Sequence, residues 1–467
     1  MRTTFAGQWP TLLVAALAGT FGSALLHVTG ILAAAIAADD VTGASEMVGL
    51  LLVLVATVFI VIAVYVSSVV TANTVATVVA GRTRLIALQR LLGSSARNQR
   101  AQIARTGLLV GVAGASVGVI AGTGAAFALE RVAVAAELLP ATGYDYANPW
   151  AALPAVAVVL TTWLASWVGS RRVLKVRPIQ AIGNANEHDR DELGNRRGRN
   201  ITALVFVACG TLLLIIGVVA GLSSPLGVLV GLVGGVVSFT GIVLGADVVM
   251  PPVLRLVGRM FGASPAARLA AENAVRHPER SSRMTIGLVI GVTLVTTFAV
   301  TMESYRTMLT TAFADRPELL REITPVIDAT VAVFSALIGF SAVIAAVGLV
   351  NTLSLSVMQR TRELGLLRAL GFDRRQLRGM IVAESAALTL AATLTGLLLG
   401  FGYGWAGAQS LLGSTQAQGA PALVLPGIPW ALFGGLLVAA AVLTVVASVA
   451  PARRAMRVSP VAALAVE

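Results

Sequence analysis

Charge is what this 467-residue chain has least of. Only 12% of its residues are Asp, Glu, Lys or Arg, 57% are hydrophobic, and the mean hydropathy is +0.86. So little charge cannot solvate a globular surface, which excludes a soluble fold. A single cysteine, Cys209, excludes a disulfide framework; it lies inside an apolar run, as a small side chain buried in lipid. The three histidines, His27, His188 and His277, stand far apart without ligand-like neighbours, so no metal site is expected. The lone lysine, Lys175, sits in "RRVLKVRP" with no glycine before it, so the G-x-x-x-x-G-K-[ST] loop that cradles nucleotide phosphates is missing. No nucleophile–base pair stands out either, and the chain reads as a non-enzyme.

Apolar length is what the chain has in abundance. Runs long enough for a helical crossing, about 20 residues each, fall at roughly 11–37, 47–73, 106–129, 150–169, 201–221, 226–249, 284–302, 326–358, 380–407 and 428–450. They are rich in Gly and Ala and show no alternation at period two, so the expectation is an all-α integral membrane protein of ten transmembrane helices, not a β-barrel. The first run, about 27 residues, exceeds the 7–15-residue apolar core of a secretory signal and is read as a retained span.

Basic residues near span ends stay on the cytoplasmic side. With the amino terminus inside, Arg2 and the loops at 74–105, 170–200, 250–283, 359–379 and 451–467 hold 30 of the 34 basic residues; Arg131, Arg306, Arg316 and Arg321 fall outside. Both termini are therefore expected in the cytoplasm, in a cell membrane. The net charge of +12 is polarised across the bilayer, which argues against nucleic acid as the partner.

Those charged loops hide a duplication. Arg82 to Gly93, "RTRLIALQRLLG", aligns without gaps on Arg360 to Gly371, "RTRELGLLRALG", at a constant offset of 278 in the numbering, with seven of twelve positions identical. Asn73 also matches Asn351, Arg97 matches Arg375 and Arg100 matches Arg378 at that offset. Further on, "SWVGSRRVLKVRPIQAI" from Ser166 aligns at an offset of 282 on "SVAPARRAMRVSPVAAL" from Ser448. Spans one to four and seven to ten are thus two copies of one unit in the same orientation. The expected domains are residues 1–195, a two-span insert at 196–262, and 263–467. Spans five and six, having no repeat mate, are expected at the periphery.

Each copy carries a short charged segment after its second span. In the second, Leu364, Leu367 and Leu370 fall on one helical face, Arg360, Glu363 and Arg368 decorate the others, and Gly371, like Gly93 in the first, suits a left-handed helix end. Two readings fit an amphipathic helix at a membrane surface: an anchor whose arginines meet anionic lipid, or a plug for a groove on a cytoplasmic partner. Two acids, Asp247 near the inner end of span six and Glu384 near the inner start of span nine, are costly in lipid and are functional candidates. Both lie close to cytoplasmic arginines, so a structural ion pair is the alternative.

"RTRELGLLRALG" followed by "RRQL", a span opening with Glu384 and the closing "PARRAMRVSPVAAL" resemble the FtsX/MacB-type permease domain of ABC transporters. The resemblance implies that the charged segments are coupling helices docked on a separate ATPase, which binds ATP and Mg; this chain would bind no cofactor. Its docking residues would be Arg360, Arg362, Glu363, Leu364, Gly365, Leu367, Arg368 and Gly371, and in the first copy Arg82, Arg84, Ile86, Leu88, Arg90 and Gly93. Leu85 stands where the second copy has Glu363, and Thr106 where it has Glu384, so the first docking surface is more degenerate. ATPases of this class act in pairs, so two per chain are implied. MacB-like members carry a large outer domain between the first two spans of the unit; here that loop is only about 9 residues near Asp39 and about 23 from Ser304 to Val326.

The function implied is a permease exporting or extracting an amphipathic, lipid-like or peptide substrate. The alternative is an FtsX-like mechanotransmitting regulator of a cell-wall hydrolase or sensor, without transport; a lipoprotein, hydrolase or sensor kinase would be the further partner, beside membrane lipid. A secondary carrier would want acids nearer the midplane.

Overall fold

The computed structural model describes residues 9–37, most of 53–73, 95–136, 143–147, 149–170, 197–259, 278–312, 370–414 and 423–457, with isolated positions between them. The helices are α1 (Trp9–Ala37), α2 (Val53–Asn73), α3 (Ala96–Ala135), α4 (Ala152–Gly169), α5 (Arg197–Ala220), α6 (Gly227–Leu244), α7 (Ala246–Gly258), α8 (Pro278–Ala312), α9 (Arg374–Leu412) and α10 (Trp430–Arg457), and no strand occurs among the described residues. Seven of them, α1, α2, α3, α5, α6, α8 and α9, are long and apolar enough to cross a bilayer; α4 and α10 carry shorter apolar stretches, Ala152–Val168 and Trp430–Val445. The chain is a multi-pass membrane protein, and its regular structure is helical among the described residues. The expected span at 326–358 lies outside the described residues.

Span six departs from expectation. The apolar run to 249 is two helices, because the backbone breaks at Gly245 and α7 continues as an amphipathic piece. Ala246, Met250, Leu254 and Val257 recur at helical spacing and are buried against α8 and α9, whereas Val248, Arg255 and Arg259 are exposed. Hydropathy counts side chains and cannot see a break in the backbone.

Three helices pack in each half by the same scheme. In the first, α3 packs along α1 and α4 packs on α3; in the second, α9 packs along α8 and α10 packs on α9. Glycine sets the register of both long contacts. A Cβ on Gly118 would stand 2.8 Å from the Thr20 amide nitrogen, and one on Gly122 would stand 2.5 Å from the Thr20 carbonyl oxygen. In the second half a Cβ on Gly396 would stand 3.2 Å from the Thr293 nitrogen, and one on Gly400 would stand 2.7 Å from the Thr293 oxygen. Gly118 and Gly396, like Gly122 and Gly400, are separated by the same offset as Arg82 and Arg360, so the offset found in the charged segments also holds for the glycines on the α3 and α9 side of these contacts. Without a hydrophobic drive inside lipid, such close backbone approach supplies the association energy.

Orientation is open to a direct test on a Cys209→Ala background. An impermeant thiol reagent applied to intact cells is expected to label a cysteine at Ser414 and leave one at Ser94 unlabelled; the reverse pattern overturns the arrangement with cytoplasmic termini.

Candidate functional site

The two long helices α3 and α9 begin where the charged segments end. Gly371 takes a φ of +96°, the left-handed value that suits glycine, and the Leu370 amide donates to the Leu366 carbonyl at 2.9 Å, one helical turn back. Two residues later Asp373 caps α9 in a reciprocal box: its side chain accepts from the backbone at Gln376, whose own side chain accepts from the Asp373 amide at 2.9 Å. In the first copy Ser95 caps α3, accepting from the Asn98 amide at 3.2 Å. Ser95 and Asp373 are again repeat mates at the offset of the charged segments. Each charged segment is therefore followed in the sequence by a capped helix start and a long helix, of 40 residues for α3 and 39 residues for α9.

Leu366 and Leu370 are 52% and 71% exposed. Two exposed apolar side chains at the end of a charged segment suit either a docking surface or a lipid anchor. Neither was among the residues expected to dock in the second copy, where Gly371 is the one expected position described, although Leu88, the repeat mate of Leu366, was expected to dock in the first. The other expected positions in the second copy, Arg360, Arg362, Glu363, Leu364, Gly365, Leu367 and Arg368, lie outside the described residues, as do Arg82, Arg84, Ile86, Leu88, Arg90 and Gly93 in the first.

The two candidate acids differ. Asp247, at the start of α7, accepts a charge-assisted hydrogen bond of 2.6 Å from Arg199, at the start of α5. The pair closes the near end of the α5–α6 hairpin onto the break at Gly245. Glu384, in the third turn of α9, is half-buried. Asp247→Ala is expected to cost about 2–3 kcal/mol by leaving the Arg199 charge without its acceptor. Thermal unfolding in detergent checks this, and the double variant Arg199→Met/Asp247→Leu is expected to recover most of the loss, because an apolar pair substitutes well for a desolvated ionic one.

The hairpin itself is fastened to the second copy and to α2. Gly221 lies against the Ser410 backbone, Ser238 and Tyr403 share a hydroxyl hydrogen bond of 2.9 Å, and Tyr65 of α2 shares another of 2.9 Å with Thr240. At the far ends of α3 and α9, a loop folds back onto each. In the first copy the Tyr146 hydroxyl donates to Glu130 and Tyr144 packs over Gly30 and His27. Burial, with the Glu130 carboxylate as acceptor, holds the Tyr146 hydroxyl well above its ordinary range, so it stays a donor at any physiological pH. In the second, Gln409 accepts from the Val424 amide at 2.7 Å, Trp405 donates to the Val424 carbonyl at 3.0 Å, and Ser304 accepts from the Gly427 amide at 3.0 Å.

Comparison with known proteins fits this twofold arrangement. The family model described as FtsX-like permease C-terminal matches residues 57–178 and again residues 335–460, together more than half of the chain. The chain belongs to the FtsX-like permease family. The two matches start at 57 and 335, the same offset seen in the charged segments, the caps and the glycine contacts. Among the relatives of this FtsX-like permease is the uncharacterized ABC transporter permease YknZ of Bacillus subtilis, 29% identical over 167 residues, which are 36% of this chain and 38% of YknZ. The macrolide export ATP-binding/permease protein MacB of Nitrobacter winogradskyi is 34% identical over 131 residues, 28% of this chain and 19% of that protein. The pyoverdine export ATP-binding/permease protein PvdT of Pseudomonas putida is 33% identical over 132 residues, 28% of this chain and 18% of that protein. The FtsX-like permease thus spans less than two fifths of the length of each of these relatives.

Proposed function

We propose that this chain is the membrane subunit of an ABC transporter, gripped by an ATPase on separate polypeptides through its two charged segments, Arg82–Gly93 and Arg360–Gly371. The observation that carries the reading is the duplicated order of charged segment, capped helix start and long helix, inside two stretches that match one permease family. Relatives named as ABC transporter permeases, and as ATP-binding/permease proteins in which both parts share a chain, support it. The exposed Leu366 and Leu370 give the second segment an apolar contact to bury. On this reading ten spans run as two four-span repeats, 1–195 and 263–467, around the insert 196–262, with both termini in the cytoplasm, and ATP and Mg belong to the partner. The substrate is amphipathic, lipid-like or a peptide, and the direction is export or extraction.

A second reading, motion passed to an outer hydrolase or sensor with no substrate moved, is favoured by the loops pinned to the far ends of α3 and α9. Both readings share the ATPase, so its stoichiometry tests the common part. Nucleotide is sandwiched between two ATPase subunits and this chain carries two docking segments, so native mass measurement of the purified complex is expected to give one copy of this chain with two ATPases. Two copies with two ATPases would mean that only one segment per chain docks.

A further inference from the structure

The two copies are not dressed alike. Position by position, at the offset that relates the repeats, α3 and α9 share a lipid-facing residue: Ile120 is 74% exposed and Leu398 75%. On the neighbouring face they part. Tyr403, Ala406 and Ser410 are covered, Ser410 to 1% exposure, and the cover over Tyr403 and Ser410 is the insert hairpin, through Ser238, Gly221 and Gly231. Their equivalents on α3, Ala125, Ala128 and Val132, are all exposed, Val132 by 68%. The face that the second copy closes with two membrane helices, the first copy leaves open.

We propose that this face of α3 is the docking surface for a membrane-spanning helix of a separate polypeptide, one that presents small side chains along Ala125 and Ala128 and a carboxylate at the level of Arg131. The internal equivalent shows the kind of occupant. What covers α9 is helical and meets it through glycine and serine, the residues that let helix backbones approach inside lipid. The α3 face, with alanines at 125 and 128, admits the same closeness. Charge supplies the second argument. Arg131 is exposed and stacks over the Phe127 ring at 5.2 Å, whereas its equivalent is Gln409, buried and bonded to Val424. A cation beside an open apolar face near a helix end calls for an acid on the helix that covers it. The insert hairpin of a second copy does not meet the requirement. Its small-residue side is already spent on that copy's own α9, the other side of α5 is lined by Leu212, Ile215, Ile216 and Val219, and the hairpin turn, residues 221–226, holds no acid.

The test places the photoreactive residue benzoylphenylalanine at Ala128 or Val132, and for comparison at Ile120 and Leu398, in the full chain expressed in its own cells. Illumination is expected to give one discrete heavier band at Ala128 and Val132 and none at Ile120 or Leu398. Its peptides should come from a different protein with a membrane span, and Ala125→Trp should abolish it while this chain stays in the membrane at its usual level. An adduct within this chain, an adduct between two copies, or lipid adducts alone at Ala128 and Val132 would each overturn the proposal. It depends on the equivalence of the two copies and not on the ATPase, so failure of the one-to-two stoichiometry leaves it standing.

Discussion

Leucine in place of Gly400 is expected to keep α8 and α9 apart and to abolish a stable fold in the second half. A Cβ there would already stand 2.5 Å from the Thr296 Cβ and 2.7 Å from the Thr293 carbonyl oxygen, and leucine adds three more carbons. Overpacking typically costs about 1–3 kcal/mol where side chains can give way. Here one obstacle is backbone, so the loss falls at about 3 kcal/mol or beyond. Gly122→Leu, whose Cβ would meet the Thr20 oxygen at 2.5 Å, is expected to do the same to α1 and α3. Gly402→Leu is the control, since nothing lies within 4 Å of a Cβ there. Yield of monodisperse protein in detergent and its thermal midpoint decide the matter. If Gly400→Leu and Gly402→Leu behave alike, the glycine register does not hold the helices together.

Glu363→Ala is expected to weaken association with the ATPase by about 30-fold or more, the effect of about 2–5 kcal/mol when a charged contact in a desolvated groove loses one partner. Leu85→Ala, at the matching position of the first segment, should weaken it less, since it removes no charge. Titration of purified ATPase onto this chain in detergent or nanodiscs gives both constants. Equal losses would remove the asymmetry between the segments, and no loss from either would return them to lipid anchors.

Rarity explains what the sequence could reveal. Arg82, Arg84 and Arg90 found their partners Arg360, Arg362 and Arg368 because three arginines at one spacing, with a threonine and a terminal glycine, are not what an apolar composition supplies. Gly118 and Gly122 stand at the same offset from Gly396 and Gly400, yet with 47 glycines in the chain that match is unremarked until the helices are seen to touch through it. Asp247 was legible as an acid in lipid, but its partner Arg199 is distant in the sequence, at the start of α5, and only the fold brings them together. Hydropathy marked the insert as two spans and gave no hint that Ser238 and Gly221 would meet Tyr403 and Ser410. The docking residues between 82 and 93 and between 360 and 368 rest on sequence alone.

Helices of about 40 residues are about 60 Å long, twice the thickness of a bilayer's hydrocarbon core. On the proposed function, α3 and α9 would therefore work as levers as much as spans. A tilt of about 5° at the end held by Ser95 or Asp373 swings the opposite end by about 5 Å. The loops clipped there, by Tyr146 to Glu130 and by Val424 to Gln409, ride on the tip, so a motion too small to disturb the capped end arrives at the other surface as a displacement the size of a side chain.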